Sequence, residues 1–204
     1  QSKVQAGPFW GQGVRMITGN EEFDIGPGYH GGVIVQIPLN EQLALNPSVS
    51  FARKGFYLWE FGFWNDDNII SFNQKLTYLD FYFPVKFKVA GIFNLQTGFQ
   101  LGVLLDADLV VDSYSSPEKF KVDIKDELSP IDMGFIIGAG VQFKNGIGLD
   151  LIVNQGLVNN YEETPPLYVD PYNNGYAVAA SDGKNLGVTI NVSYLFGYAP
   201  KVTK

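Results

Sequence analysis

Between Leu43 and Lys54 the chain reads LALNPSVSFARK, and its two parities have nothing in common. Leu43, Leu45, Pro47, Val49 and Phe51 share one; Ala44, Asn46, Ser48, Ser50, Ala52 and Lys54 share the other. That is the period of two of a strand with unlike faces. The pattern returns where Leu95, Thr97, Phe99, Leu101, Val103 and Leu105 alternate with Asn94, Gln96, Gly98, Gln100, Gly102 and Asp106, and again over residues 186–196. Strands of this kind must turn every apolar parity toward one medium, either a protein core or lipid.

Extended along the chain, the alternation predicts eight strands, over residues 4–17, 28–39, 43–64, 69–89, 93–107, 131–144, 147–158 and 186–196. The connections near Asn40, Gly91 and Asn145 are tight, and Asn145-Gly146 is a strong two-residue hairpin signal. The other four connections are longer and polar. Short turns at one end and long loops at the other are the pattern of an outer-membrane barrel, whose short turns are periplasmic. An even strand count then places both termini in the periplasm.

The second parity decides the medium. It is crowded with Gly, Asn, Gln and Ser and carries Arg15, Lys54, Glu60, Asp80, Lys86, Lys88, Asp106, Asp132 and Asp150. A soluble eight-stranded barrel would turn its apolar parity inward. Here that would pack several large aromatics per strand into a narrow interior and leave the glycines to water. The expected fold is therefore an all-β, eight-stranded, antiparallel up-and-down transmembrane barrel, its apolar bands facing outer-membrane lipid and its lumen filled by side chains. Arg15, His30, Lys54, Asp80, Lys86, Asp106, Asp132 and Asp150 form the predicted lumen network, with Asp80 and Asp106 pairing with Lys86, Arg15 or Lys54, because an unpaired buried charge is costly.

Composition agrees with one domain over residues 1–204, of which 197–204 form a short periplasmic tail: with 23 Gly, 15% aromatic and only 17% charged residues, the chain suits a single barrel. It has no cysteine, so disulfides and thiolate metal sites are excluded. It holds no run of about 18 apolar residues, which a membrane helix requires and a barrel does not. Nor does it open on a basic, apolar leader, and the start at Gln-Ser-Lys reads as a mature end after signal-peptide removal. The net charge of −7 argues against a nucleic-acid partner. Residues 18–27, 64–68, 108–130 and 159–184 hold 15 carboxylates against four lysines, or −11, while the remainder is +4 with ten basic and six acidic residues, so the external cap is strongly acidic.

Several motifs carry a family resemblance: LNPSVSFARKG in the third strand, LTYLDFYFPVKFK in the fourth, FQLGVLLDA in the fifth, IKDELSPIDMGFIIGAGVQF into the sixth and GIGLDLIVNQGL in the seventh. Over residues 4–196 the chain resembles the PorT-like family of small outer-membrane β-barrel proteins, barrels of the OmpA/OmpX type. The resemblance implies fold and location. It transfers no catalytic motif, and the member that gives the family its name is implicated in protein secretion across the outer membrane.

His30, the single histidine, sits on the inward parity near the external mouth. A catalytic site pairing it with an acid such as Asp80 is weighed against a hydrogen-bonded lumen residue, and the second is expected, because one imidazole without a motif is little evidence. No cofactor or metal site is expected. The acidic runs Asp66-Asp67-Asn68, 123–127 and 170–174 offer oxygen ligands but lack the EF-hand spacing. Gly138-Ala139-Gly140 matches part of a dinucleotide fingerprint without the helix that gives it meaning. No small-molecule substrate is evident. The aromatic hairpin rises above the apolar band with Phe56, Tyr57, Trp59, Phe61, Phe63 and Trp64. It is either an aromatic girdle at the lipid boundary or an interface for another envelope protein. The expected role is non-enzymatic, as an accessory or structural subunit of an envelope or secretion assembly, with a stand-alone surface-binding barrel as the alternative.

Overall fold

The alternating stretches all form strands, seen in a computed structural model that describes residues 3–18, 24–61, 69–113, 120–159, 166–169, 176–179 and 183–197. In order these are β1 (Gln5–Thr18), β2 (Asp24–Pro38), β3 (Leu43–Leu45), β4 (Ser48–Phe61), β5 (Ile69–Ala90), β6 (Phe93–Ser113), β7 (Phe120–Asp123), β8 (Ile131–Gln142), β9 (Ile147–Asn159), β10 (Pro166–Val169), β11 (Tyr176–Ala179) and β12 (Lys184–Tyr194). β3 and β4 form one barrel strand interrupted at Asn46-Pro47, and β5 pairs with both. Each barrel strand pairs antiparallel with the next, and β12 returns to β1, closing a ring of eight. β10 and β11 make a separate hairpin.

The parities fall as their chemistry requires. Phe51 is 66% exposed, Phe99 62% and Ile190 62% on the outer surface, whereas Lys54 and Asp80 on the inner surface are 1% and 0% exposed. Trp10 stacks on Tyr29 outside the barrel, with ring centroids 5.8 Å apart. Inside, Phe9 and Ile136 are buried alongside the charges.

The three tight turns close as the sequence predicts. Asn40 Oδ1 accepts from the backbone N–H groups of Gln42 and Leu43, both at 2.8 Å, and Asn145 Oδ1 accepts from the Ile147 N–H at 3.1 Å. Gly91 and Gly146 adopt φ of +56° and +91°, a region costly for residues with a Cβ. Gly146→Val is expected to destabilise the barrel by roughly 1–3 kcal/mol, read as a lower urea midpoint in lipid vesicles, with the lumen unaffected.

Three features depart from the simple alternation. Register shifts where β5 meets β6, Thr77 facing Asp106 and Tyr78 facing Leu104, so Leu105 is an extra residue in a β-bulge. Secondly, β5 and β6 run to 22 and 21 residues, twice what a bilayer needs. At ~3.4 Å per residue and ~40° tilt, β5 spans roughly 55 Å along the barrel axis, against an apolar band about 25 Å tall. β6 thus continues past residue 107, where the alternation ends it. Finally, residues 108–130 are not a uniformly polar loop. β7 pairs with upper β6, and a 3-10 turn, Lys125–Glu127, follows it. Around that turn Ile124 and Leu128 are buried, as are Leu76, Leu104 and Leu109. The Ile124 N–H donates to the Ala107 carbonyl at 3.0 Å, drawing the segment onto the barrel.

Candidate functional site

The lumen network has two ion clusters. Lys54 reaches inward from β4 and donates through Nζ to Asp80 Oδ1 at 3.0 Å and to Asp132 Oδ2 at 2.9 Å. Its ammonium also lies 4.2 Å from the Tyr78 ring centroid. The Tyr82 hydroxyl donates to Asp80 Oδ2 at 3.0 Å, and Asn185 Nδ2 donates to Asp132 Oδ2 at 3.1 Å. In the second cluster Lys86 Nζ sits 3.2 Å from both oxygens of Asp150. Asn154 and Gln100 hydrogen-bond across the same interior.

His30 is buried, and its Nε2 lies 3.0 Å from Asn191 Oδ1. Phe9 and Tyr82 flank the imidazole, at centroid distances of 5.5 and 6.0 Å. Gly11 makes the arrangement possible, because a Cβ there would fall 2.3 Å from His30 Nε2 and 2.0 Å from Asn191 Oδ1. The imidazole's partner is therefore an amide, while Asp80 faces Lys54 and Tyr82. Arg15 is buried as well, reaching Tyr82. Together Arg15, His30, Tyr82, Asp150 and Asn191 help line a cavity of about 40 Å³, room for a few waters.

One predicted member falls outside this network. Asp106 is exposed on the outer surface, because the bulge at Leu105 reverses inward and outward for the rest of β6. Above the bulge Asp108, on the same outer level, holds Lys121 of β7 at 2.9 Å, and that hydrogen bond keeps the Lys121 ammonium above the usual lysine range. The pairing expected for Asp106 is thus not part of the lumen. Residues that the sequence reading did not single out are Tyr78, Tyr82, Asn185 and Asn191. All sit on inward positions, so the alternation itself was the signal for them.

Phe56, Tyr57, Trp59 and Phe61, weighed above as girdle or partner interface, lie along the backbone of β4, paired with β5 as far as Phe61 opposite Ile69; their side chains, and all of Phe63 and Trp64, lie outside the described residues. So do Asp66-Asp67-Asn68 and residues 170–174. In the remaining acidic run, Asp123 Oδ1 accepts the Lys125 N–H at 3.0 Å, a local turn. Among the described residues no group of three or more His, Asp or Glu side chains is placed to hold a metal ion.

A closed ring of eight strands with an apolar exterior and a filled, ion-paired interior defines a small β-barrel of the bacterial outer membrane. The family model for the outer membrane protein beta-barrel domain matches residues 2–162. The chain belongs to that family. Among curated proteins none matches in sequence. Among solved structures, Ail, the attachment invasion locus protein of Yersinia pestis in complex with the heparin analogue sucrose octasulfate, is 11% identical with a TM-score of 0.52, covering 96% of this chain and 100% of that one. The outer membrane protease OmpT from Escherichia coli is 10% identical with a TM-score of 0.48, covering 95% of each chain. Neisserial surface protein A is 10% identical with a TM-score of 0.45, covering 95% of this chain and 99% of that one. At such identities the likeness shows the fold alone, and the neighbours include an attachment protein and a protease.

Proposed function

We propose that this barrel is a non-enzymatic accessory subunit of an envelope or secretion assembly, working through its long connections and the 56–78 hairpin, with both termini in the periplasm. The observation that carries the reading is the extension of β5 and β6 well beyond the length a bilayer requires, with β4 paired along β5 as far as Phe61. A strand pair raised that far out of lipid has no membrane-spanning role, and the β4 backbone that pairs along it carries GFYLWEF, an aromatic-rich sequence suited to an interface. The resemblance to PorT-like barrels supports the assembly role. The short turns at Asn40, Gly91 and Asn145 support the orientation, since such turns are periplasmic in bacterial barrels. An enzyme using His30 has less support, its Nε2 being turned to Asn191 rather than to a carboxylate.

The test is extraction from native membranes in mild detergent, followed by mass analysis. The expected result is a stoichiometric protein partner, lost when Tyr57, Trp59 and Phe61 are all replaced by Ser. An unchanged complex size in that variant removes the hairpin from the interface. A particle of one chain in the unaltered protein overturns the subunit reading in favour of a stand-alone surface-binding barrel.

A further inference from the structure

Among the described residues two lysines answer the three lumen carboxylates: Lys54 holds Asp80 and Asp132, and Lys86 holds Asp150. Arg15, 5% exposed, is left with Nε and Nη1 buried and without a hydrogen-bond partner. Its side chain runs through space cleared by two glycines on flanking strands. A Cβ on Gly28 would lie 2.8 Å from Arg15 Cγ, and one on Gly187 would lie 2.7 Å from Nη1. The guanidinium borders the 40 Å³ cavity, and so do Asn46 and Gln96. Asn46 Nδ2 and Gln96 Nε2 are likewise buried without a partner. One cation and two unused amide donors therefore border a single small space, whose wall also carries the unpaired Asn46 Oδ1 and the Asp150 carboxylate already held by Lys86, and a buried polar group left unpaired is costly.

We propose that the lumen binds one small monovalent anion of the halide class in this cavity, held by Arg15 with Asn46 and Gln96 completing its shell. Such an ion only accepts hydrogen bonds, which matches the unused Arg15, Asn46 and Gln96 donors, and it places its charge against the one lumen cation without a carboxylate of its own. The three lumen cations and three carboxylates sum to zero without the ion, so a halide leaves the lumen with one net negative charge placed beside Arg15, whereas a divalent oxyanion would leave two.

The full chain is refolded into detergent in chloride or, at equal ionic strength, in gluconate, an organic anion too large for the cavity, and then unfolded. Refolding in the ion removes any barrier to its entry. For one site, halide at about 100 times its Kd lowers the unfolding equilibrium constant about 100-fold. The unaltered protein is expected to show that dependence, and Arg15→Met and Asn46→Ala to lose or weaken it. Crystals grown in bromide are expected to show an anomalous peak beside the Arg15 guanidinium, a measurement that stands even if the variants do not fold. Equal unfolding in the two anions, a chloride dependence that survives in Arg15→Met, or a cavity holding only water in the bromide crystals would each overturn the site.

Discussion

Lys54→Met is expected to cost the barrel ~3–5 kcal/mol, the loss typical of breaking a buried ion pair by removing one partner, and to be the most damaging single change in the lumen. Lys54 is 1% exposed and serves two carboxylates that are 0% and 4% exposed. Its removal leaves both anions in a space closed to bulk water, where the penalty is the uncompensated charge and not the lost contact. Lys86 serves one carboxylate in a slightly more open setting, with side-chain exposures of 8% and 7%, so Lys86→Met should cost distinctly less. Unfolding in urea, followed in lipid vesicles, ranks the two. If the charge argument holds, Lys54→Met combined with Asp80→Asn and Asp132→Asn recovers most of the loss. Equal losses for Lys54→Met and Lys86→Met, or no recovery in the triple variant, would mean that packing against Tyr78 and not charge is what Lys54 supplies.

The Lys54 cluster shows how far alternation reaches. Each of its charged members was assigned to the lumen by parity alone, because a strand of constant register carries that assignment from one residue to the next. Which cation meets which carboxylate was not legible. Lys54 on β4 and Asp132 on β8 are separated by β5 and β6 round the ring, and that order of neighbours is a property of the closed barrel. Parity also fails where register does. One inserted residue, Leu105, reverses the remainder of β6 and sends Asp106 out of the lumen, and nothing in the local sequence VLLDADL marks where the extra residue falls. The burial of Ile124 and Leu128 is illegible for a different reason. They are isolated apolar residues in an acidic segment, and their burial depends on the long-range bonds that draw Ile124 to Ala107 and Pro130 to Leu104. The aromatic hairpin was legible as composition and as strand, but composition does not name a partner.

Along one strand the same logic gives a depth profile. Phe99 occupies the middle of the outward set of β6, between Phe93 and Leu105, is 62% exposed, and meets Phe135 edge-on with centroids 6.0 Å apart. Phe99→Arg is expected to cost ~2–4 kcal/mol in a bilayer, the penalty of a guanidinium at the midplane of a barrel's lipid face. Asp106→Lys, seven positions along the same strand, reverses a charge that already stands exposed above the bulge, and should change stability by no more than about 0.5 kcal/mol. Both changes place a cation on the outer surface, so their difference isolates depth in the membrane from charge itself. Urea unfolding in vesicles of fixed composition, with Trp10 at the outer surface among the fluorescent reporters, measures both. Similar small losses would mean that the apolar parity faces something other than lipid. A large loss at Phe99 with little at Asp106 would locate the upper boundary of the hydrocarbon between them, and with it the level at which the long β5 and β6 strands leave the membrane.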